Sequence, residues 1–254
     1  MIDSHCHITH GAFDLDRDLV IQNSKRELRA IITCASSLDE LKFALKLSEK
    51  YPKFIHVTAG IHPVDAAEMS NEEFEEFLSF IELNKDKIVG IGEVGLDYHW
   101  IKDADKMERS KRAFIKLIDF ANSLDLPLVL HLRGSFEEGF DIVKSKKVKK
   151  AMFHCFYGRP QLAEKIIEEG YLVSIATNIV RNKNMKRIAK KSPLSGIVTE
   201  TDSPFLSVDS NTDRNDPQNI KLVIRKMAES RDEDFSKINE ITTRNSIELF
   251  NLDI

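Results

Sequence analysis

Short runs of apolar residues alternate with longer amphipathic stretches along almost the whole chain. The apolar runs are five to eight residues long, are rich in Val, Ile and Leu, and predict buried β-strands. There are eight of them: Met1–Ile8, Arg29–Ala35, Phe54–Ile61, Ile88–Val94, Pro127–Leu132, Lys150–Cys155, Tyr171–Ile175 and Gly196–Thr201.

The stretches between these runs have the apolar period of amphipathic helices. The predicted helices are Leu38–Lys50, Asn71–Asn84, Lys106–Leu124, Phe136–Lys144, Pro160–Glu168 and Asn182–Lys191, followed after the last strand by Asn219–Glu229 and Ser236–Phe250. Ser37 with Glu40 fits a capping box at the start of a helix. Gly170 stands where another helix should end.

Strand–helix alternation repeated eight times predicts parallel strands joined by helical crossovers. Eight such units within 254 residues are typical of an α/β fold of the (β/α)8 TIM-barrel type. We expect one domain over residues 1–254, with a doubly wound open sheet as the alternative. The segment Pro204–Gln218 is rich in Ser, Asp and Asn and is expected to form a long loop over the catalytic face, although a solvated connector would have the same composition.

Side chains that bind metals stand where the predicted strands end. His5 and His7 form a His-x-His pair at the end of the first strand, and residues two apart in a strand share a face. The other candidates are Glu93 at the end of the fourth strand, His131 of the fifth, His154 of the sixth and Asp202 of the eighth. Active sites of parallel barrels lie at the carboxyl ends of the strands, so we expect these side chains to meet on one rim.

Four imidazoles and two carboxylates without a thiolate form a mixed nitrogen and oxygen donor set. This set suits zinc, manganese, cobalt, nickel or iron, and magnesium less well. Six ligands are more than one tetrahedral ion takes, so we expect two divalent ions that share Glu93. The expected ligand sets are His5, His7, Glu93 and Asp202 for one ion, and Glu93, His131 and His154 for the other.

Such a pair of ions lowers the pKa of a bound water and clamps the attacked group, which predicts hydrolysis as the reaction class. Asp202 is a candidate to hold the attacking water and accept its proton. Each candidate also has an ordinary explanation: His131 and His154 as hydrogen-bonded core residues, Asp202 as a turn residue or helix cap, and Glu93 as a loop acid. Only their joint placement favours a metal centre.

Composition and charge limit the remaining classes of function and cellular location. A net charge of −4 does not indicate a nucleic-acid coat, and it leaves room for a local basic groove. The three cysteines, Cys6, Cys34 and Cys155, are odd in number and lack a Cys-x-x-Cys motif, so we expect reduced, buried thiols. The chain has neither a signal-like start nor a run of about 18 apolar residues, so a cytosolic protein without a membrane partner is expected.

Six segments resemble the TatD family of metal-dependent deoxyribonucleases, within the amidohydrolase superfamily. They are Asp3-Ser-His-Cys-His7, Gly60-Ile-His-Pro63, Gly92-Glu-Val-Gly-Leu-Asp-Tyr98, Leu130-His-Leu-Arg133, His154-Cys-Phe-Tyr-Gly158 and Glu200-Thr-Asp-Ser-Pro204. The match runs in order from Met1 to the C-terminal helices with suitable spacing, which makes it far more specific than any single motif.

The resemblance implies a TIM-type barrel and a divalent-metal phosphodiesterase that acts on DNA, with 3′–5′ exonuclease activity in characterised relatives. By position it assigns the six candidates above as metal ligands, with Glu93 and Asp202 as catalytic residues. It also implies that His62 and Arg133 bind substrate, His62 by donating to a phosphate oxygen and Arg133 in bidentate fashion. A turn His before Pro63 and a surface Arg are the alternatives.

The chain departs from the family pattern at three places around the implied pocket. Val64 stands where a second His is usual, His99-Trp100-Ile101 stands where an Arg is frequent, and Arg214-Asn-Asp-Pro217 replaces Arg-Asn-Glu-Pro. These departures leave the metal ligands intact and put substrate choice in question. His99 is a candidate to replace the missing His.

The expected partner is DNA, entering the pocket as a single-stranded end. The basic segment Lys144–Lys150 precedes strand six and is expected to be a solvated loop on the face away from the metals. Arg181 and Lys183 follow strand seven on the catalytic face and are better phosphate contacts. Four aromatic residues on rim loops could stack bases or serve as packing: Tyr98, Trp100, Phe156 and Tyr157.

Two other functions remain open at the level of sequence. A metal-dependent hydrolase of this fold could cleave an amide, a lactone or another ester, including the aminoacyl ester of a misacylated tRNA, because fold does not fix function. A non-catalytic binding or scaffold protein is the alternative of a different class.

Overall fold

Eight strands pair in the order in which they occur along the chain, and every pair is parallel. The computed structural model describes residues 1–208 and 214–254. Its strands are β1 Ile2–Cys6, β2 Ala30–Ala35, β3 Ile55–Ala59, β4 Gly90–Asp97, β5 Leu128–Arg133, β6 Ala151–Phe153, β7 Leu172–Ile175 and β8 Ile197–Thr199. Each lies within or over one of the predicted apolar runs.

The chain returns from β8 to β1 and so nearly closes the sheet into a barrel. The backbone N–H of Asp202 donates to the carbonyl oxygen of His5 at 3.0 Å, and the N–H of His7 donates to that of Ser203 at 2.7 Å. The prediction of a TIM-type barrel is therefore confirmed, and the open doubly wound sheet is excluded.

Ten α-helices are present in the described residues. They are α1 Arg17–Lys25, α2 Leu38–Lys50, α3 Pro63–Glu68, α4 Asn71–Leu83, α5 Ala104–Leu124, α6 Phe136–Ser145, α7 Pro160–Glu168, α8 Lys183–Lys191, α9 Ile220–Arg231 and α10 Phe235–Phe250. All predicted helices occur within a few residues of their expected bounds; α1 and α3 were not among them. No helix within 1–208 or 214–254 combines the length and apolar character needed to cross a bilayer.

Local chemistry sets several helix ends. The Ser37 hydroxyl accepts from the backbone N–H of Glu40 at 3.3 Å, but the Glu40 carboxylate accepts from the N–H of Ser36, one residue before the predicted capping-box position. Gly170 follows α7 with φ 86°, a conformation that glycine adopts without a side-chain clash. The sequence signals therefore located these ends even where the hydrogen bonds differ by one residue.

The barrel interior has an apolar lower layer and a polar upper layer. Residues two apart on a strand share a face, so Val129 lies below His131, and Met152 lies below His154. The lower layer packs against the end of α10, and its members are Ile2, Ala30, Ile32, Val129, Met152, Val198, Leu249, Phe250 and Leu252. The polar side chains above this layer form the rim at the carboxyl ends of the strands.

Strand β4 is longer than the sequence predicted and changes the position of Glu93. It continues to Asp97, so Glu93 lies inside the strand and not at its end. The pairing with β5 shifts between Ile91 and Val94, which is the irregularity of a β-bulge. A Cβ atom on Gly95 would lie 2.0 Å from the carbonyl oxygen of His131, so only glycine permits this approach of β4 to β5.

Candidate metal centre

Two histidines of β1 and the following turn face two carboxylates across the top of the barrel. The Nε2 atoms of His5 and His7 lie 3.2 Å apart. Asp202 Oδ1 lies 3.6 Å from His5 Nε2 and 3.5 Å from His7 Nε2. Glu93 approaches the same pair, with Oε2 3.8 Å from His5 Nε2 and Oε1 4.0 Å from His7 Nε2. The four side chains thus direct their ligand atoms at one small volume.

A second group of ligand atoms shares Glu93. Its Oε2 lies 3.3 Å from His131 Nδ1 and 3.0 Å from His154 Nε2, and these two nitrogens are 3.3 Å apart. Among the described residues, the groups close enough to hold an ion include His5 with His7 and Glu93, and Glu93 with His131 and His154. Glu93 is therefore common to both groups, as the sequence predicted for a bridging ligand.

Asp202 also begins a turn, as its ordinary explanation required. Its carbonyl oxygen accepts from the backbone N–H of Phe205 at 2.9 Å, and Asp202 has φ 56°. The carboxylate nevertheless points to the histidines and not to the turn, and its side chain remains 13% exposed toward the cavity. The turn and the proposed ligand role are compatible because they use different atoms.

Asp97 determines how His131 presents its ring. A carboxylate can only accept, so Nε2 of His131 donates to Asp97 Oδ2 at 3.1 Å and Nδ1 is left facing Glu93 and His154. Asp97 also accepts from the backbone N–H groups of His99 and Trp100. Burial would raise the pKa of Asp97, but the hydrogen bonds from His131 and these amides outweigh it and lower the pKa to about 2.

Glu200 occupies the corresponding place beside His154. Its Oε1 lies 3.4 Å from His154 Nδ1 and accepts from the backbone N–H of Cys155 at 2.6 Å. Glu200 is fully buried, and this burial raises its pKa although His154 opposes the change. The sequence reasoning did not name Asp97 or Glu200 as site residues. The signal was available, since Glu200 is an acidic residue directly after β8 and two residues before Asp202.

Within the cluster, neighbouring side chains add to or oppose the effect of burial on each pKa. Burial would raise the pKa of Glu93, but its close contacts with the imidazoles of His131 and His154 outweigh burial and hold that pKa well below its usual range. Burial and the neighbouring imidazoles of His154 and His7 place the pKa of His5 well below its usual range. His5 is accordingly a neutral ring whose Nε2 can offer a lone pair, which is the form that binds a metal ion.

These residues fit divalent ions. Imidazole nitrogens and carboxylate oxygens face each other at 3.0 to 4.0 Å, an arrangement of ligand atoms that a cation stabilises. The three cysteines are free and Cys34 is used structurally, because its Sγ contacts Gly92 O and the N–H of Glu93 inside the barrel. Cys6 is also buried, whereas Cys155 is half-buried. Among the described residues, no cysteine belongs to the groups that could hold an ion.

A cavity of about 490 Å³ opens beside the cluster. Its lining includes His131, His154 and Asp202 from the cluster, together with Arg133 and His99. The volume falls within the range of about 300–1,000 Å³ typical of small-molecule sites. His99, one of the departures from the family pattern, is thus placed in the cavity wall.

Arg133 and His62, the two predicted substrate residues, have different surroundings. The Arg133 guanidinium lies over the Trp100 ring, 5.6 Å from its centroid, and faces the cavity. His62 caps α3, with Nδ1 accepting from the N–H of Val64, and its ring packs against His131 at 4.5 Å. Burial, the main cause, lowers the pKa of His62 to about 4. His62 therefore contacts the cluster more closely than the cavity.

The four rim aromatics divide into packing and exposed residues. Phe156 is fully buried, and the Tyr98 hydroxyl is held by Glu138. Trp100 is 65% exposed and Tyr157 is 39% exposed, and Tyr157 lines the cavity. A further exposed ring, Phe205, packs its edge against His7 and was not considered from the sequence.

Arg214 is turned away from the cavity. It forms a bidentate pair with Asp16 at 2.7 and 2.8 Å and lies over the Phe13 ring. The next residue, Asn215, is buried and donates to Thr177 Oγ1 and Thr201 O. The Arg-Asn-Asp-Pro segment thus has a structural role, because it connects this loop to the chain after β8 and to the start of α1. Residues 209–213 of the predicted loop Pro204–Gln218 lie outside the described residues.

The family model described as "TatD related DNase" matches residues 2–251 of the chain. A metal-dependent hydrolase of Methanocaldococcus jannaschii, MJ1582, is 36% identical, covering 98% of this chain and 96% of its own. Human deoxyribonuclease TATDN3 is 30% identical, covering 98% and 94%. The 3′-5′ ssDNA/RNA exonuclease TatD of Pectobacterium parmentieri is 27% identical, covering 99% and 100%.

A solved structure has the same fold over its whole length. The TatD homologue YjjV of Escherichia coli K12 superposes with a TM-score of 0.90 at 26% sequence identity, covering 99% of this chain and 98% of the other. The similarity is therefore global in both sequence and fold.

Proposed function

Because this chain belongs to the TatD-related DNase family of metal-dependent hydrolases, we propose that it removes nucleotides from the 3′ end of single-stranded DNA by two-metal hydrolysis. The observation that carries the proposal is the convergence of four imidazoles and two carboxylates from five chain segments on one rim of the barrel. A structural histidine needs one hydrogen-bond partner, whereas these rings direct their second nitrogens at one another.

The proposed ligands of one ion are His5, His7, Glu93 and Asp202, and those of the other are Glu93, His131 and His154. Glu93 can serve both because its Oε1 faces His7 while its Oε2 faces His131 and His154. Asp97 and Glu200 hold the outer nitrogens of His131 and His154 and so fix the orientation of the rings. When bound, the ions would polarise the scissile phosphate and make water a stronger nucleophile near neutral pH.

Asp202 is proposed as the general base. Its carboxylate faces the cavity as well as the histidines, so it can hold the attacking water and accept its proton. Arg133 is proposed to bind the phosphate, because its guanidinium faces the cavity and is held in place by the Trp100 ring.

Two observations support a single-stranded DNA end as the substrate. The cavity has room for one terminal nucleotide, and Tyr157 in its wall and the exposed Trp100 ring beside Arg133 offer faces on which unpaired bases can stack. The names of TATDN3 and the Pectobacterium enzyme refer to DNase and 3′-5′ exonuclease activities, which agree with this assignment.

The experiment is hydrolysis of single-stranded DNA labelled at its 5′ end, by protein stripped of metal and reloaded with magnesium, manganese or zinc. We expect stepwise shortening from the 3′ end that requires metal. Asp202→Asn should abolish it, while Asp39→Asn, at a 98% exposed carboxylate, should not change the rate. Absence of cleavage with every ion, by protein that holds two metals, would contradict the proposal and favour a lactone or another ester.

Arg133→Ala tests the phosphate contact separately. We expect the KM for single-stranded DNA to rise by roughly tenfold or more, in line with the loss of a charge-assisted bidentate contact, while bound metal per protein stays the same. Arg133→Lys should retain only part of the wild-type affinity for single-stranded DNA, because an ammonium cannot bind in the bidentate geometry. Loss of metal from Arg133→Ala would instead assign this residue to support of the ligands.

A further inference from the structure

The two basic segments of the chain differ in how their charges are used. In the segment before β6, Lys144 pairs with Glu169, Lys146 with Asp119 and Lys149 with Asp125. Three of the five lysines of this segment are therefore paired with carboxylates, while Lys147 and Lys150 have no ion-pair partner among the described residues. Helix α8 carries five cations within nine residues: Lys183, Lys186, Arg187, Lys190 and Lys191. None of the five has an ion-pair partner in the part of the chain that the structure describes.

The spacing of the cations along α8 opposes the stability of the helix, whereas the helix dipole favours Lys190 and Lys191 in the last turn. The helix has no acidic residue, so neighbours three and four positions apart are like-charged pairs, which destabilise a helix. The pairs are Lys183 with Lys186 and Arg187, Lys186 with Lys190, and Arg187 with Lys190 and Lys191. The apolar face, with Met185, Ile188 and Ala189, is buried against the barrel. An external polyanion would remove this repulsion.

Helix α8 begins at the proposed active site. The Asn184 side chain donates to the carbonyl oxygens of Tyr157 and Gly158 at 3.0 and 2.9 Å, and Tyr157 lines the cavity. Asn178, just before the helix, lines the cavity as well. As the crossover from β7 to β8, α8 then runs down the outside of the barrel for about 13 Å, at 1.5 Å per residue. Its exposed cations therefore form a track that starts at the cavity mouth.

We propose that the exposed face of α8 binds the sugar-phosphate backbone of single-stranded DNA upstream of the nucleotide held in the cavity. The inference rests on the proposed function, which places the 3′ end of the strand in the cavity. It adds a second contact whose contribution is electrostatic and independent of base sequence. Short substrates that end at the cavity do not reach this contact, whereas long ones do.

The test compares the wild-type holoenzyme with the triple variant Lys186→Gln, Arg187→Gln, Lys190→Gln on a thymidine dinucleotide and on a long oligothymidylate. We expect the KM for the long strand to rise by roughly tenfold or more at low salt. The KM for the dinucleotide and kcat for both substrates should stay the same. The melting temperature should stay the same or rise, because like-charge repulsion is removed.

Binding gives a readout independent of hydrolysis. For a long strand with phosphorothioate linkages, the slope of log affinity against log salt concentration should flatten in the variant by about 0.7 for each lost phosphate contact. The matched control is Lys144→Gln, Lys146→Gln, Lys149→Gln, which removes the same charge from the three ion-paired lysines before β6 and should leave slope and KM unchanged.

An equal change in the control variant, or an equal change on the dinucleotide, would overturn the α8 assignment. So would a long-strand KM and a salt slope that both stay at wild-type values. Failure of the wild-type protein to cleave either substrate would contradict the proposed function instead. In that case the binding slopes would still decide whether α8 contacts nucleic acid.

Discussion

At the scale of single residues, the proposed centre depends on carboxylates that do not themselves face it. Asp97 binds Nε2 of His131 and leaves Nδ1 free for an ion. In the same way, Glu200 faces Nδ1 of His154 and leaves Nε2 free. A histidine without such a partner can rotate and exchange tautomers, which weakens any metal it holds. Asp97 and Glu200 therefore fix the orientation of the histidine rings, while Glu93 and Asp202 place negative charge at the proposed centre.

Replacement of Asp97 by Asn should test this division. The amide keeps the volume and can still accept from His131, but it removes the charge that favours donation by Nε2. We expect metal affinity to fall by about 10- to 100-fold, measured by competition with a chelator of known affinity. Asp119→Asn, which alters only a surface pair with Lys146, is the control. Unchanged affinity in Asp97→Asn would show that the ring of His131 is held by other contacts.

At the scale of elements, strands were easier to predict than the positions of residues within them. The apolar runs gave all eight strands because burial on both faces of a parallel sheet demands them. They did not reveal that β4 continues past Glu93, since the bulge there depends on contact with β5 and not on local pattern. The candidate ligands nevertheless lie close together in the structure, because ligand-type side chains near strand ends and the six family motifs survive an error of a few residues.

The close approach of β4 to β5 predicts a severe effect of Gly95→Ala. The added methyl would overlap the backbone of His131, which cannot move without displacing β5. We expect a loss of roughly 3 kcal/mol or more in the free energy of unfolding, measured by urea denaturation. Gly11→Ala is the control, because its added Cβ would meet only a side-chain oxygen at 3.6 Å. A wild-type midpoint for Gly95→Ala would mean that the strands can separate without cost.

At the scale of the whole molecule, folding and chemistry occupy different layers of the barrel. The end of α10 packs under the strands, where Phe250 joins Val129, Met152 and Val198. Phe250→Ala should therefore lower the free energy of unfolding by about 3–5 kcal/mol, measured by denaturant titration, because it leaves a cavity in a closed apolar layer. The KM of the folded variant should match that of the wild type. A raised KM would show that the two layers are coupled.

Metal should in turn stabilise the upper layer. The ligands come from segments as far apart as His5 and Asp202, so an unfolded chain cannot present them together. At a metal concentration about 100-fold above the dissociation constant, the gain in stability is about 2.7 kcal/mol for one site. Thermal unfolding with and without a chelator should show this as a higher melting temperature for the loaded protein. Equal melting temperatures would argue against tight binding at this cluster.

The closure of β8 onto β1 has a consequence for the synthesis of the protein. Synthesis proceeds from the amino to the carboxyl terminus, so His5 leaves the ribosome before Asp202, which lies 197 residues later in the chain. Until the last strand docks, the nascent polypeptide has histidines but no complete centre. A chain released by a stop before position 202 lacks one of the proposed ligands and cannot assemble all six. We therefore expect the proposed metal centre to form only in chains that extend past the turn that docks on β1.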